Sequence, residues 1–106
     1  MSALIVHCSC PDAASAERIA RVLVEERLAA CVQALSRIRS TYRWQGEVCS
    51  GEEFLLLIKT TRVRLEAVKS RLADLHPYEV PELLVLDVVD GSAAYLDWLA
   101  EATAPS

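Results

Sequence analysis

The side chains able to do metal or thiol chemistry are few: four cysteines (Cys8, Cys10, Cys31, Cys49) and two histidines (His7, His76) in 106 residues. Thiolate and imidazole are donors for soft and borderline metal ions. Spacing sorts them. Ala3 to Cys8 is an apolar run rich in strand formers, and a strand sends successive side chains to opposite faces. Cys8 and Cys10 therefore project together and His7 goes to the other side, which disfavours a His7/Cys8 chelate and makes Cys10 the better accessory donor. Bridging i, i+2 neighbours on a strand is geometrically awkward, and nothing marks the chain for export, so free thiols are expected. No C-x-x-C pair or H-x-x-x-H spacing suggests a structural zinc site. A Gly-rich phosphate loop and a nucleophile elbow are also missing, and neither histidine has a serine or carboxylate partner at motif spacing. Catalysis is not expected.

The elements that must position these groups follow from periodicity. Strand one ends at Cys10-Pro11-Asp12, where proline and aspartate mark a turn. Asp12 is a good N-cap, and Ala16, Ile19, Ala20, Leu23, Arg27 and Ala30 follow at helical spacing. From Cys31 the period changes: Val32, Ala34, Ile38, Ser40, Tyr42 and Trp44 share one parity, which predicts a long second strand to Gln45, bent near Ser36. Gln45-Gly46-Glu47 and Ser50-Gly51-Glu52-Glu53 both offer turn chemistry, and Phe54 to Thr60 is short enough for a buried third strand, paired with the second as an antiparallel hairpin. Thr60 or Thr61 caps a second helix carrying Leu65, Val68, Leu72 and Leu75, and His76-Pro77 ends it because the residue before proline avoids the helical region. Pro81 opens a fourth strand, Glu82 to Val89. Asp90-Gly91 leads into a short amphipathic helix, Ser92 to Ala102, and the tail Ala102 to Ser106 is expected to fray.

The order βαββαβ plus a terminal helix predicts one α+β domain over 1–106, a ferredoxin-like sandwich with both main helices on one face of a four-stranded antiparallel sheet. Yet Phe54 to Ile58 and Leu83 to Leu86 are apolar at both parities, as strands buried on both sides are. The terminal helix is too short to cover the second face. At about 25 cal/mol per Å², a few hundred Å² of covered apolar surface yields several kcal/mol, and a homo-oligomer supplies it most simply. Pattern alone does not choose between dimer and trimer.

The net charge of −4, with basic residues dispersed, lacks the footprint of a nucleic-acid binder. No apolar run approaches the roughly 20 residues that cross a bilayer, and Met1 to Pro11 has neither a basic start nor a small-residue cleavage site. The expectation is a cytoplasmic protein with no membrane or nucleic-acid partner.

His76-Pro77-Tyr78-Glu79-Val80-Pro81-Glu82 is the most specific segment, and it resembles the signature that CutA divalent-cation-tolerance proteins carry between the second helix and fourth strand. The Cys8, Pro11, Asp12 start, Leu28-Ala29-Ala30-Cys31-Val32, Tyr42-Arg43-Trp44-Gln45-Gly46, Leu57-Ile58-Lys59-Thr60-Thr61 and Tyr95-Leu96-Asp97-Trp98-Leu99 also look like that family, in its order and across nearly the whole chain. The resemblance implies a homotrimer similar in architecture to PII signalling proteins, with three sheets facing inward and the long second and third strands pairing with neighbouring subunits. It also implies a role in tolerance of divalent metals, with copper the metal usually bound and other divalent cations as alternatives.

Cys8 and His76 match positions that look like the family's copper ligands; where some relatives carry a further histidine, this chain has Leu75. Plainer roles stand beside these: Cys8 as a small core residue, and His76 as a helix-terminal imidazole bonding the last carbonyls. Trp44, Lys59, Tyr78, Glu82 and Tyr95 resemble positions that the family groups around a cleft between subunits, a mixture suited to a small anion or a metal–ligand complex. The plainer account has Trp44 and Tyr95 packing as large apolar side chains and Lys59 pairing with Glu82 at an interface. Pro77 and Pro81 fix the backbone of their loop. Two functions follow as expectations: a trimeric metal-binding tolerance protein using Cys8 and His76, or a PII-like sensor or scaffold taking a small anionic metabolite in the cleft.

Overall fold

The computed structural model describes residues 3–105. Its elements are β1 (Ala3–Cys10), α1 (Ala13–Glu25), β2 (Cys31–Trp44), β3 (Glu47–Thr61), α2 (Leu65–Leu75, entered through a 3-10 turn at Arg62–Arg64), β4 (Leu84–Asp87) and α3 (Ala93–Ala102). The strands pair antiparallel in the order β2-β3-β1-β4, the ferredoxin-like arrangement that the element order predicts.

Register decides which side chains meet. Leu4, Val6 and Cys8 of β1 lie opposite Thr60, Ile58 and Leu56 of β3, so all six share one face, and all are buried. Ala16, Ile19 and Leu23 of α1 and Val68 and Leu72 of α2 close over this face at spacings of three and four, which forms the core. Burying each of the large aliphatic side chains stabilises the fold by about 1.5–3 kcal/mol. Asp12 caps α1 by accepting from the Ser15 N–H and the Ser15 hydroxyl, both at 2.8 Å. α1 stops before Arg27, which takes a left-handed φ of 61°; Arg27 N–H then bonds Val24 O at 3.0 Å and Leu28 N–H bonds Leu23 O at 2.9 Å. Arg27 and Ala30, expected in this helix, thus fall outside it.

Gln45 and Gly46, at φ 50° and 80°, form the two-residue turn between β2 and β3. The second predicted turn does not form. Once Trp44 pairs with Glu47, Ser50 and Gly51 fall into the ladder opposite Thr41 and Ser40, and β3 runs unbroken. β2 is irregular near Ser36 as expected, but the irregularity is a bulge. Leu35 pairs with Leu55 while Ile38 pairs with Glu53, so β2 carries one extra residue there, with Arg37 at φ 58°. The extra residue reverses the parity: Val32 and Ala34 face the helices, whereas Ile38, Ser40, Tyr42 and Trp44 face away, which corrects the single shared parity expected for them.

Thr61 precedes the 3-10 turn without a capping side-chain bond, and Thr60 stays in β3, its hydroxyl donating to Leu28 O at 2.6 Å. β4 is four residues long, shorter than the expected Glu82 to Val89. The frayed tail also needs correction over its described part. Thr103 is buried, its hydroxyl donates to Leu99 O at 2.9 Å, its carbonyl accepts from Arg64 at 2.8 Å, and Ala104 O accepts from Arg27 at 3.2 Å. Ser106 lies outside the described residues.

The other face of the sheet carries Ile5, His7, Leu35, Leu55, Leu57, Lys59, Leu84 and Leu86. α3 approaches it at the Lys59 end. Leu35, Leu84 and Leu86 remain 45, 60 and 50 % exposed. No helix among the described residues is long and apolar enough to cross a membrane.

Candidate metal centre

Alternation along β1 sets Cys8 and Cys10 side by side under the helices, and the end of α2 brings in His76. Pro77 forces His76 out of the helical region, to φ −76° and ψ 135°, while its N–H still bonds Leu72 O at 2.9 Å. The result is a cluster in which one donor atom each from Cys8, Cys10 and His76 lie within 4.8 Å of one another. Both thiols are fully buried and the imidazole is 7 % exposed. All four cysteines are free. Two sulfurs and one imidazole nitrogen form a donor set for a soft or borderline ion such as copper, and a poor one for magnesium or calcium.

The two thiols titrate as a pair. The hydrogen bond to Cys10 pushes the Cys8 thiol up, with burial and then the charges of Cys10, Glu82 and Glu53 adding to it. The same hydrogen bond lowers Cys10, outweighing burial and the carboxylates of Asp12 and Glu53. The pair therefore gives up its first proton more readily than its second.

His76 is hydrogen-bonded at both nitrogens. The Tyr78 backbone N–H donates to Nδ1 at 3.0 Å, and Nε2 lies 2.7 Å from Ser9 O. A backbone N–H only donates and a carbonyl only accepts, so the ring carries its proton on Nε2. This differs from the expected bonding to the last helix carbonyls; Arg18 serves Leu75 O instead, at 3.0 Å. The Tyr78 ring packs on the imidazole with centroids 5.0 Å apart.

The five expected cleft residues do not form one group within a single chain. Lys59 Nζ donates to Tyr95 Oη at 3.4 Å and sits 5.6 Å from that ring's centroid. Glu82 pairs with His7 Nδ1 at 2.8 Å, and within one chain it does not meet Lys59. The reason is register: Lys59 lies opposite Ile5, whereas Glu82 enters beside His7, two residues along β1. The Tyr78 hydroxyl donates to Glu53 Oε2 at 3.2 Å, and burial, then Glu53, pushes this phenol up to about 12. Trp44 closes β2 at the hairpin turn, 55 % exposed. Sequence reasoning did not single out Glu53 or the His7–Glu82 pair. The available signals were an acid bordering the apolar run of β3 and a histidine inside an apolar central strand. A cavity of about 550 Å³, lined by Thr61, Arg62, Val63, Ala100, Thr103 and Pro105 among others, holds none of these groups.

A family model described as "CutA1 divalent ion tolerance protein" matches residues 4–102. The divalent-cation tolerance protein CutA of Thermus thermophilus is 48% identical over 99 residues, which cover 93% of this chain and 96% of that one. Its counterpart in Pectobacterium atrosepticum is 44% identical over 97 residues, covering 92% and 88%. The crystal structure of CutA from Xylella fastidiosa superposes with a TM-score of 0.95 at 45% identity, over 98% of this chain and 100% of that one. None of these descriptions names an enzyme. A family match spanning β1 to the end of α3, near-complete relatives and a shared fold lead to one conclusion: the chain belongs to the CutA family of divalent-ion tolerance proteins.

Proposed function

We propose that this protein binds copper through Cys8 and His76, assisted by Cys10, and acts in metal tolerance as a non-catalytic homotrimer in the cytoplasm. The observation that carries the reading is the buried cluster of two thiols and an imidazole with donor atoms within 4.8 Å of one another. It supplies soft donors in a setting from which water is excluded. The trimer draws support from the uncovered sheet face, where Leu35, Leu84 and Leu86 would otherwise meet water. Free thiols suit a reducing compartment. Relatives differ here, since one from Archaeoglobus fulgidus is described as periplasmic and one from Arabidopsis thaliana as chloroplastic.

Isothermal titration with Cu(I) under reducing conditions tests the site. Saturable binding is expected, lost in Cys8→Ser and in His76→Ala. Full stoichiometry and affinity in both variants would overturn the assignment.

A second reading rests on Lys59, whose ammonium meets a phenol and makes no ion pair among the described residues. In a trimer this cation could hold a small anionic metabolite in a cleft completed by Trp44, Tyr78, Glu82 and Tyr95, as a PII-like sensor would. Thermal-shift screening of anionic metabolites decides it: stabilisation abolished by Lys59→Ala supports this reading, and stabilisation by metal alone excludes it.

A further inference from the structure

The two hydrogen bonds of His76 have a consequence for any metal bound there. A neutral imidazole has one N–H and one lone pair. Here the lone pair on Nδ1 takes the Tyr78 N–H and the Nε2 proton is given to Ser9 O. A metal at Nδ1 displaces the Tyr78 amide directly. A metal at Nε2 requires that proton to move to Nδ1, where it would point at the Tyr78 N–H, donor against donor. Turning the ring breaks the same bond. Every neutral-imidazole route therefore removes the Tyr78 amide from His76.

We infer that metal loading and the closed His76–Tyr78 turn exclude one another, so that the ion acts as a switch on the segment from His76 to Glu82. The inference rests on the metal reading proposed above. Pro77 and Pro81 restrict the backbone on either side, which favours movement of the segment as a unit. The segment holds two contacts to the sheet face opposite the thiols: the Tyr78 hydroxyl on Glu53 and the Glu82 carboxylate on His7. Releasing the Tyr78 amide loosens the first and shifts the base of the second. A buried ion on the helix side thereby changes what the open side displays, although it touches neither Glu53 nor His7. Opening a turn closed by these few contacts is a local transition, and the ion's affinity is reduced by the fraction of chains in which the turn is closed.

Nuclear magnetic resonance of ¹⁵N-labelled protein titrated with Ag(I), a diamagnetic stand-in for Cu(I), tests this. With one equivalent per chain, the His76 ring nitrogen should shift on ligation, and the Tyr78 amide should exchange with solvent at least about tenfold faster. Ligation at His76 with unchanged Tyr78 exchange would overturn the switch and leave the metal site standing. Ag(I) that perturbs neither Cys8 nor His76 would overturn both. Tyr78→Phe removes the tie to Glu53 and should tighten Ag(I) binding by about threefold; equal or weaker binding contradicts the switch.

Discussion

His7 and Cys8 are joined by one peptide bond, yet they belong to different halves of the molecule. Cys8 faces the helices, where polar groups find partners inside the chain: Thr60 on Leu28 O, Thr103 on Leu99 O, and both nitrogens of His76. No fully buried side-chain polar atom among the described residues lacks a partner. His7 faces the other way, among leucines that remain half exposed and beside charged groups held by single contacts near the surface. One face is closed by folding, and the other stays open in the single chain.

Deleting side-chain volume on each face should show this difference most strongly. Ile58→Ala, on the helix side and fully buried, should cost about 3 kcal/mol in urea denaturation. Leu86→Ala, half exposed on the open side, should cost less than about 1 kcal/mol for the separated chain. Equal losses in dilute solution would erase the distinction. A charge sharpens it further. Leu35→Asp should weaken self-association by at least about tenfold in light scattering while the circular dichroism spectrum stays native. Association at wild-type strength would show that copies do not cover this face.

The smallest effect is acid sensitivity on the helix side. Hydrogen bonds from the Ser15 backbone and then its hydroxyl hold Asp12 below the usual carboxylate range, and Arg71 does the same for Glu26. A carboxylate lowered by folding contributes stability that is full above its unfolded pKa and fades as the pH falls through its folded value. Stability should therefore decline below about pH 4. Asp12→Asn keeps the capping acceptor, so it should flatten that decline slightly while leaving neutral stability near wild type. An unchanged acid limb would remove Asp12 from the account.

Much of this was legible in the residues, because local chemistry leaves local marks. Alternation in β1 separated His7 from Cys8 and paired Cys8 with Cys10; Asp12, Gln45-Gly46 and His76-Pro77 placed a helix start, a hairpin and a helix end. The break near Ser36 was legible but not its nature as a bulge, because one extra residue alters no composition and only reverses parity, which moved Ile38, Ser40, Tyr42 and Trp44 to the open face. The tail looked frayed because its restraints, Arg27 and Arg64, come from distant elements. The partners of Glu82 and Tyr78 were hidden for the same reason: residues 75 and 25 positions away supply them.

X-ray absorption at the copper edge of the Cu(I)-loaded protein tests the account most directly, because Cys8, Cys10 and His76 are the one cluster among the described residues that brings two sulfurs and an imidazole together. The account predicts a shell of two sulfurs and one nitrogen, losing a sulfur in Cys8→Ser. A shell of nitrogen and oxygen alone would put the ion elsewhere and contradict it.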